Sequence, residues 1–174
     1  MKKVLTILLV AIAVNGLAQL NTTELGNLSY SEDLSDIWGW VDGAGTEYAL
    51  VGVYDGFSVV DLSNVSSPTE VFFEAGVNSI WRDIKTWDNH AYVTTEGGDG
   101  LLIVDLSTLP GNTNLNATYF TGIIYPFETA HNLYIDENGV AYIFGADYGE
   151  GGAIMLDLAQ DPMAPVELGV YDDY

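Results

Sequence analysis

The sequence predicts an all-β protein of β-propeller type, built from four-stranded antiparallel blades. Three observations predict it. One motif recurs three times at blade-like spacing, short apolar segments alternate with Gly, Asn and Asp, and no helical segment follows the first 18 residues. The recurring unit is an apolar strand, a Gly-rich turn, a second apolar strand and an Asp-Leu pair. It spans Tyr48 to Ser63, Ala91 to Ser107 and Ala141 to Ala159. Its closing residues Asp61, Asp105 and Asp157 lie 44 and 52 residues apart, and Tyr48, Tyr92 and Tyr142 lie 44 and 50 apart. Those periods are close to the roughly 40–50 residues of a propeller blade.

Lys2 and Lys3 precede an apolar run from Val4 to Val14 that only Thr6 interrupts, and Gly16, Leu17 and Ala18 follow. Residues 1–18 therefore read as a signal peptide cleaved after Ala18, since the run is too short to span a bilayer. The mature chain is expected to be secreted, extracellular or at the cell surface, with no membrane span left. Residues 19–34 form a lead-in, and 35–174 hold the repeats in units of about 35–78, 79–127 and 128–174.

Each unit begins with an entry strand, at Ser35–Trp40, Trp81–Trp87 and His131–Asp136. The hairpin follows, and Asp55-Gly56 and Asp99-Gly100 are direct turn signals within it. Each unit ends with an outer strand, at Thr69–Glu74, Asn116–Gly122 and Val166–Tyr171. About three blades fall short of the four or more that close a ring. The expectation is an incomplete ring, truncated at the C-terminus, whose open blade edge invites self-association.

The chain carries 25 acidic and four basic side chains, and two of the four are the lysines of the signal. A surface this acidic repels phosphate backbones and anionic headgroups, which excludes nucleic acid as a partner. There is no cysteine, so disulfides, thiolate metal sites and cysteine nucleophiles are excluded as well. No nucleophile elbow, phosphate-binding glycine loop or dinucleotide fingerprint is present.

Val59-Val-Asp-Leu-Ser63 and Ile103-Val-Asp-Leu-Ser107 resemble the core of the LVIVD repeat. The run from Asp36 to Gly52, with Trp81-Arg-Asp-Ile-Lys85 and Ala130-His-Asn-Leu133, resembles the bacterial choice-of-anchor B family. The similarity extends over about residues 26–174. It implies a secreted or surface-attached propeller-like repeat protein of bacteria, often carried by a C-terminal sorting domain, with no established reaction.

The entry strands carry the candidate ligand-binding residues Trp38, Trp40, Trp81, Arg82, Asp83, His131 and Asn132, because inner strands line a propeller's channel. Arg82 beside Asp83 would receive a carboxylate or sugar acid bidentately, or else form an ion pair between blades. His131 and Asp83 are the catalytic candidates, with hydrogen-bonded structure as the alternative for the histidine. Trp38, Trp40, Trp81 and Trp87 serve either as stacking platforms for sugars or as filler between blades. His90 is expected in solvent. Asp61, Asp105 and Asp157 are expected to accept backbone N–H groups in the turns that follow them, and Asp136-Glu-Asn-Gly139 to form a β-turn.

No metal site or cofactor is expected beyond weak binding of divalent cations. The leading expectation is a non-enzymatic binding or adhesion module whose partner is a glycan, a cation or another surface protein. A secreted hydrolase or lyase at the channel, and a purely structural surface component, are the alternatives.

Overall fold

The computed structural model describes residues 22–173, so the signal-peptide reading lies outside the described residues. Twelve strands form three separate four-stranded antiparallel sheets, each in sequence order. The first holds β1 (Leu34–Val41), β2 (Glu47–Val53), β3 (Gly56–Asp61) and β4 (Thr69–Ala75). The second holds β5 (Arg82–Trp87), β6 (His90–Thr95), β7 (Leu101–Asp105) and β8 (Asn116–Phe120). The third holds β9 (Asn132–Ile135), β10 (Val140–Phe144), β11 (Ala153–Asp157) and β12 (Val166–Tyr171). The predicted blades are all present, and they do not close a ring.

Pairing register shows which residues repeat. Ala49, Ala91 and Ala141 lie opposite Val60, Val104 and Leu156 in the neighbouring strand. Tyr48 therefore matches His90 and Val140, whereas Tyr92 and Tyr142 match Leu50. The three tyrosines that seem to repeat in the sequence occupy two different positions, and the small alanine is the true constant. By the same register Ile37, Ile84 and Leu133 are equivalent, facing Val51, Val93 and Ile143.

Side chains alternate between the faces of a strand, and here both faces of the middle blade are covered. Tyr48, Leu50, Phe57 and Val59 of the first blade pack on Ile84, Ala91, Val93, Leu102 and Val104 of the second. Tyr92, Leu101 and Ile103 on its other face pack on Leu133, Ala141, Ile143, Ile154 and Leu156 of the third. Fully burying one such side chain is worth about 1.5–3 kcal/mol, so these two seams supply most of the stability.

The inner strands β1, β5 and β9 lie side by side without pairing, and carboxylates bridge them. The Ile84 N–H donates to Asp36 Oδ2 at 2.9 Å, and the Leu133 N–H donates to Asp83 Oδ2 at 2.8 Å. Asp36 and Asp83 directly precede the equivalent residues Ile37 and Ile84, so this is one contact made twice. Asn132 holds the same position in the third blade.

The Asp-Leu corners behave as expected. Asp61, Asp105 and Asp157 accept from the N–H of Ser63, Ser107 and Ala159 at 2.6, 2.8 and 2.8 Å. Asp136 accepts from Asn138 and Val140 within its turn. His90 departs from expectation. Its side chain is only 12% exposed, with Nε2 3.9 Å from Asp105, because the register directs it to the face where Tyr48 sits in the first blade.

The loop entering the third blade is wrapped around Glu167, which accepts from the N–H groups of Ile123, Ile124 and Tyr125 at 2.7–3.1 Å. Burial pushes this carboxyl up, but the three amides outweigh it and hold the group below its ordinary value. A depressed folded pKa stabilises above the unfolded pKa and loses that stabilisation as pH falls through the folded value. The three amides should therefore be protected from hydrogen exchange at pH 7. Protection should fade below about pH 4 and in Glu167→Ala, with the blade cores unaffected. Fast exchange of these amides at neutral pH would contradict the clamp.

Candidate functional site

An open cleft of about 470 Å³ lies where the three inner strands begin, bordered by Ser35 and Asp36, by Trp81, Arg82 and Asp83, and by His131 and Asn132. Five of the seven candidate residues meet there. Trp38 and Trp40 do not, because they lie further along β1. Trp40 is buried against Tyr48 with ring centroids 5.4 Å apart, filling the seam between the first and second blades. Trp38 donates Nε1–H to Thr86 Oγ1 at 3.0 Å, and the Lys85 ammonium lies 4.7 Å from its ring centroid. Trp87 is partly buried and packs against the core between the second and third blades, where a side chain at Gly139 would collide with its indole.

Adjacent residues in a strand point to opposite faces, which separates Arg82 from Asp83. The Arg82 side chain turns toward the first blade and is buried at 8% exposure. Nε donates to the Val53 carbonyl at 2.9 Å, and Nη2 donates to the carbonyls of Val77 at 2.5 Å and Tyr54 at 3.5 Å. Burial pulls its pKa down, while Tyr119, Asp55 and Asp99 oppose that shift. Gly52 makes room, since a Cβ there would fall 2.5 Å from Ser35 Oγ and 3.1 Å from Arg82 Cβ. Asp83 turns toward the third blade, where it binds the Lys85 ammonium and the Leu133 amide. Both side chains are therefore committed to holding blades together.

The groups left facing the cleft are different. Trp81 is 54% exposed, and its ring lies 6.4 Å from that of His131. His131 Nδ1 is 2.5 Å from Glu96 Oε1. A carboxylate on Nδ1 orients the imidazole ring, whose side chain is 61% exposed. Gly145 supports this arrangement from below. Its φ is +62°, and a Cβ there would fall 2.9 Å from His131 Cβ. Glu96 is the site residue that sequence reasoning misses. It lies 35 positions from His131 in a Gly-rich hairpin, and only its place just past the end of β6 hints at the cleft.

Arg82→Met should leave buried carbonyls without a donor and lower stability by about 2–4 kcal/mol, at about 1–3 kcal/mol per stranded group. Chemical denaturation measures this, and a loss under about 0.5 kcal/mol would show the guanidinium to be dispensable. Gly145→Ala should displace His131, which the chemical shifts of its ring protons would report, while the blade cores keep their amide protection.

Residues 40–73 and 81–121 match the family model described as LVIVD repeat. No curated protein and no solved structure matches the chain. The two matched stretches run from the inner strands of the first two blades to their outer strands. Each of the two matched stretches corresponds to one blade.

Proposed function

We propose that this protein is an exported, non-enzymatic binding module that takes a glycan in the cleft at the start of its inner strands. The observation that carries the reading is Trp81, a large aromatic face held open to solvent beside the Glu96–His131 pair. Such a face complements the C–H face of a pyranose. Around it, His131 Nε2, Glu96, Ser35 and Asn132 offer hydrogen-bonding groups to ring hydroxyls.

The charge of the site narrows the ligand. The Arg82 guanidinium donates to carbonyls and the Lys85 ammonium pairs with Asp83, so among the described residues neither cation is free to receive a sugar acid. The chain as a whole is strongly acidic. A neutral or amino sugar is therefore favoured over a uronic or sialic acid. Export rests on the leader-like residues 1–18, and surface adhesion on the resemblance to choice-of-anchor B proteins.

One observation favours a second reading. A histidine oriented by a carboxylate at the border of a cleft is the arrangement of a general base, and a secreted hydrolase or lyase would use it so.

Glycan-array screening followed by calorimetry tests both. The protein should bind neutral or amino glycans without turning them over, and Trp81→Ala should weaken binding about tenfold, the worth of one stacking contact. Binding unchanged in Trp81→Ala would overturn the proposed site. Product formation that His131→Ala abolishes would establish the enzyme instead.

A further inference from the structure

Two unlike groups of side chains border the cleft, and stacking of a sugar ring on Trp81 accounts for only part of one. Leu34 and Ile80 stand with Trp81 around the opening, and they are 53% and 51% exposed. Apolar side chains at the mouth of a ligand cleft gain free energy only when an apolar group covers them. The other group is polar. It holds the Glu96–His131 pair, the exposed Asn132 carboxamide, and Asp36, which gives Oδ2 to the Ile84 amide and keeps Oδ1.

The apolar group is held in place. Ile80 forms the tip of a short turn whose base is the buried Ser79. Ser79 Oγ accepts from the Trp81 N–H at 3.1 Å and donates to the Trp81 carbonyl at 2.9 Å. The Ser79 N–H donates to the Tyr54 carbonyl at 2.8 Å, which ties the turn to the first blade. Leu34 opens β1 in register with Val53. Ligand binding therefore has little backbone left to order here, which is the condition for a selective subsite.

We propose, resting on the glycan reading above, that the cleft selects an N-acylated amino sugar. With the pyranose on Trp81, the acyl methyl covers Ile80 and Leu34, the amide N–H donates to Asp36 Oδ1, and the acyl carbonyl accepts from the Asn132 carboxamide. The competitors each leave one group unmatched. A plain neutral sugar leaves both aliphatic side chains in water. A free amino sugar sets an ammonium against them, where it loses hydration. An O-acyl sugar fills the same space but brings no N–H to the carboxylate, in a cleft rich in acceptors.

Saturation-transfer NMR and calorimetry on the purified protein test this with the methyl glycosides of glucose, glucosamine and N-acetylglucosamine, and with their galactose counterparts. In at least one series the N-acetyl sugar should bind about tenfold tighter than its two relatives, the worth of one methyl contact and one hydrogen bond. Its acetyl methyl should be among the most strongly saturated groups. Ile80→Ser and Leu34→Ser, both at positions more than half exposed, should each lower that preference about fourfold without moving the thermal melt. Trp81→Ala should weaken every sugar that binds. Equal affinity within each series, with Trp81→Ala still weakening all members, would overturn the acyl subsite and leave the glycan reading standing. A preference that neither serine substitution reduces would overturn it as well. Failure of all six sugars to bind at millimolar concentration would overturn the glycan reading and this inference together.

Discussion

The constraint on which the rest of this structure depends is the backbone N–H of each inner strand. A central strand of an ordinary sheet has partners on both sides, but β5 and β9 pair on one side only, and their remaining amides point to the middle of the molecule. Unsatisfied, each such group near a packed seam would cost about 1–3 kcal/mol. Asp36 and Asp83 meet that demand across the gap between blades, at Ile84 and at Leu133. A charged acceptor fixes position more strictly than an apolar contact does, because a hydrogen bond weakens steeply with misalignment. The clamps set the spacing and register of the blades, while the apolar faces supply the larger share of the free energy.

This division of labour explains the residues that surround the cleft. A strand alternates its side chains, so the residue before each clamp must point the other way. In the first blade that residue is Ser35, in the second Arg82, in the third His131. Arg82 plugs the seam behind it by capping carbonyls, and Ser35 is small enough to sit beside Gly52. His131 stands at the surface, where Glu96 orients it and Trp81 flanks it. The repeat thus places three chemically different side chains at one architectural position, and the cleft is where they meet.

Much of this was readable from the residues. The entry, hairpin and outer strands fall where the apolar segments and turn signals put them, because a strand covered on both faces leaves a nearly continuous apolar run. The turn role of Asp61, Asp105 and Asp157 was readable too, since a short carboxylate after a strand has few other amides in reach. Register was not. Tyr48 and Tyr92 look like one repeated tyrosine until pairing shows that Ala49 and Ala91 are the constant pair, and a displacement of two residues leaves the facing unchanged. The burial of His90 follows from that same hidden register. The roles of Arg82 and Asp83 depended on which seam each strand face meets, and Glu96 was hidden because its partner lies in another blade.

The central claim is that carboxylate clamps hold neighbouring inner strands together, and amide hydrogen exchange followed by NMR tests it most directly. The account predicts slow exchange at Ile84 and Leu133, although neither amide has a strand partner, and selective acceleration at Leu133 when Asp83 is replaced by Ala. Rapid exchange at both amides in the unmodified protein, at a rate like that of exposed loops, would contradict it.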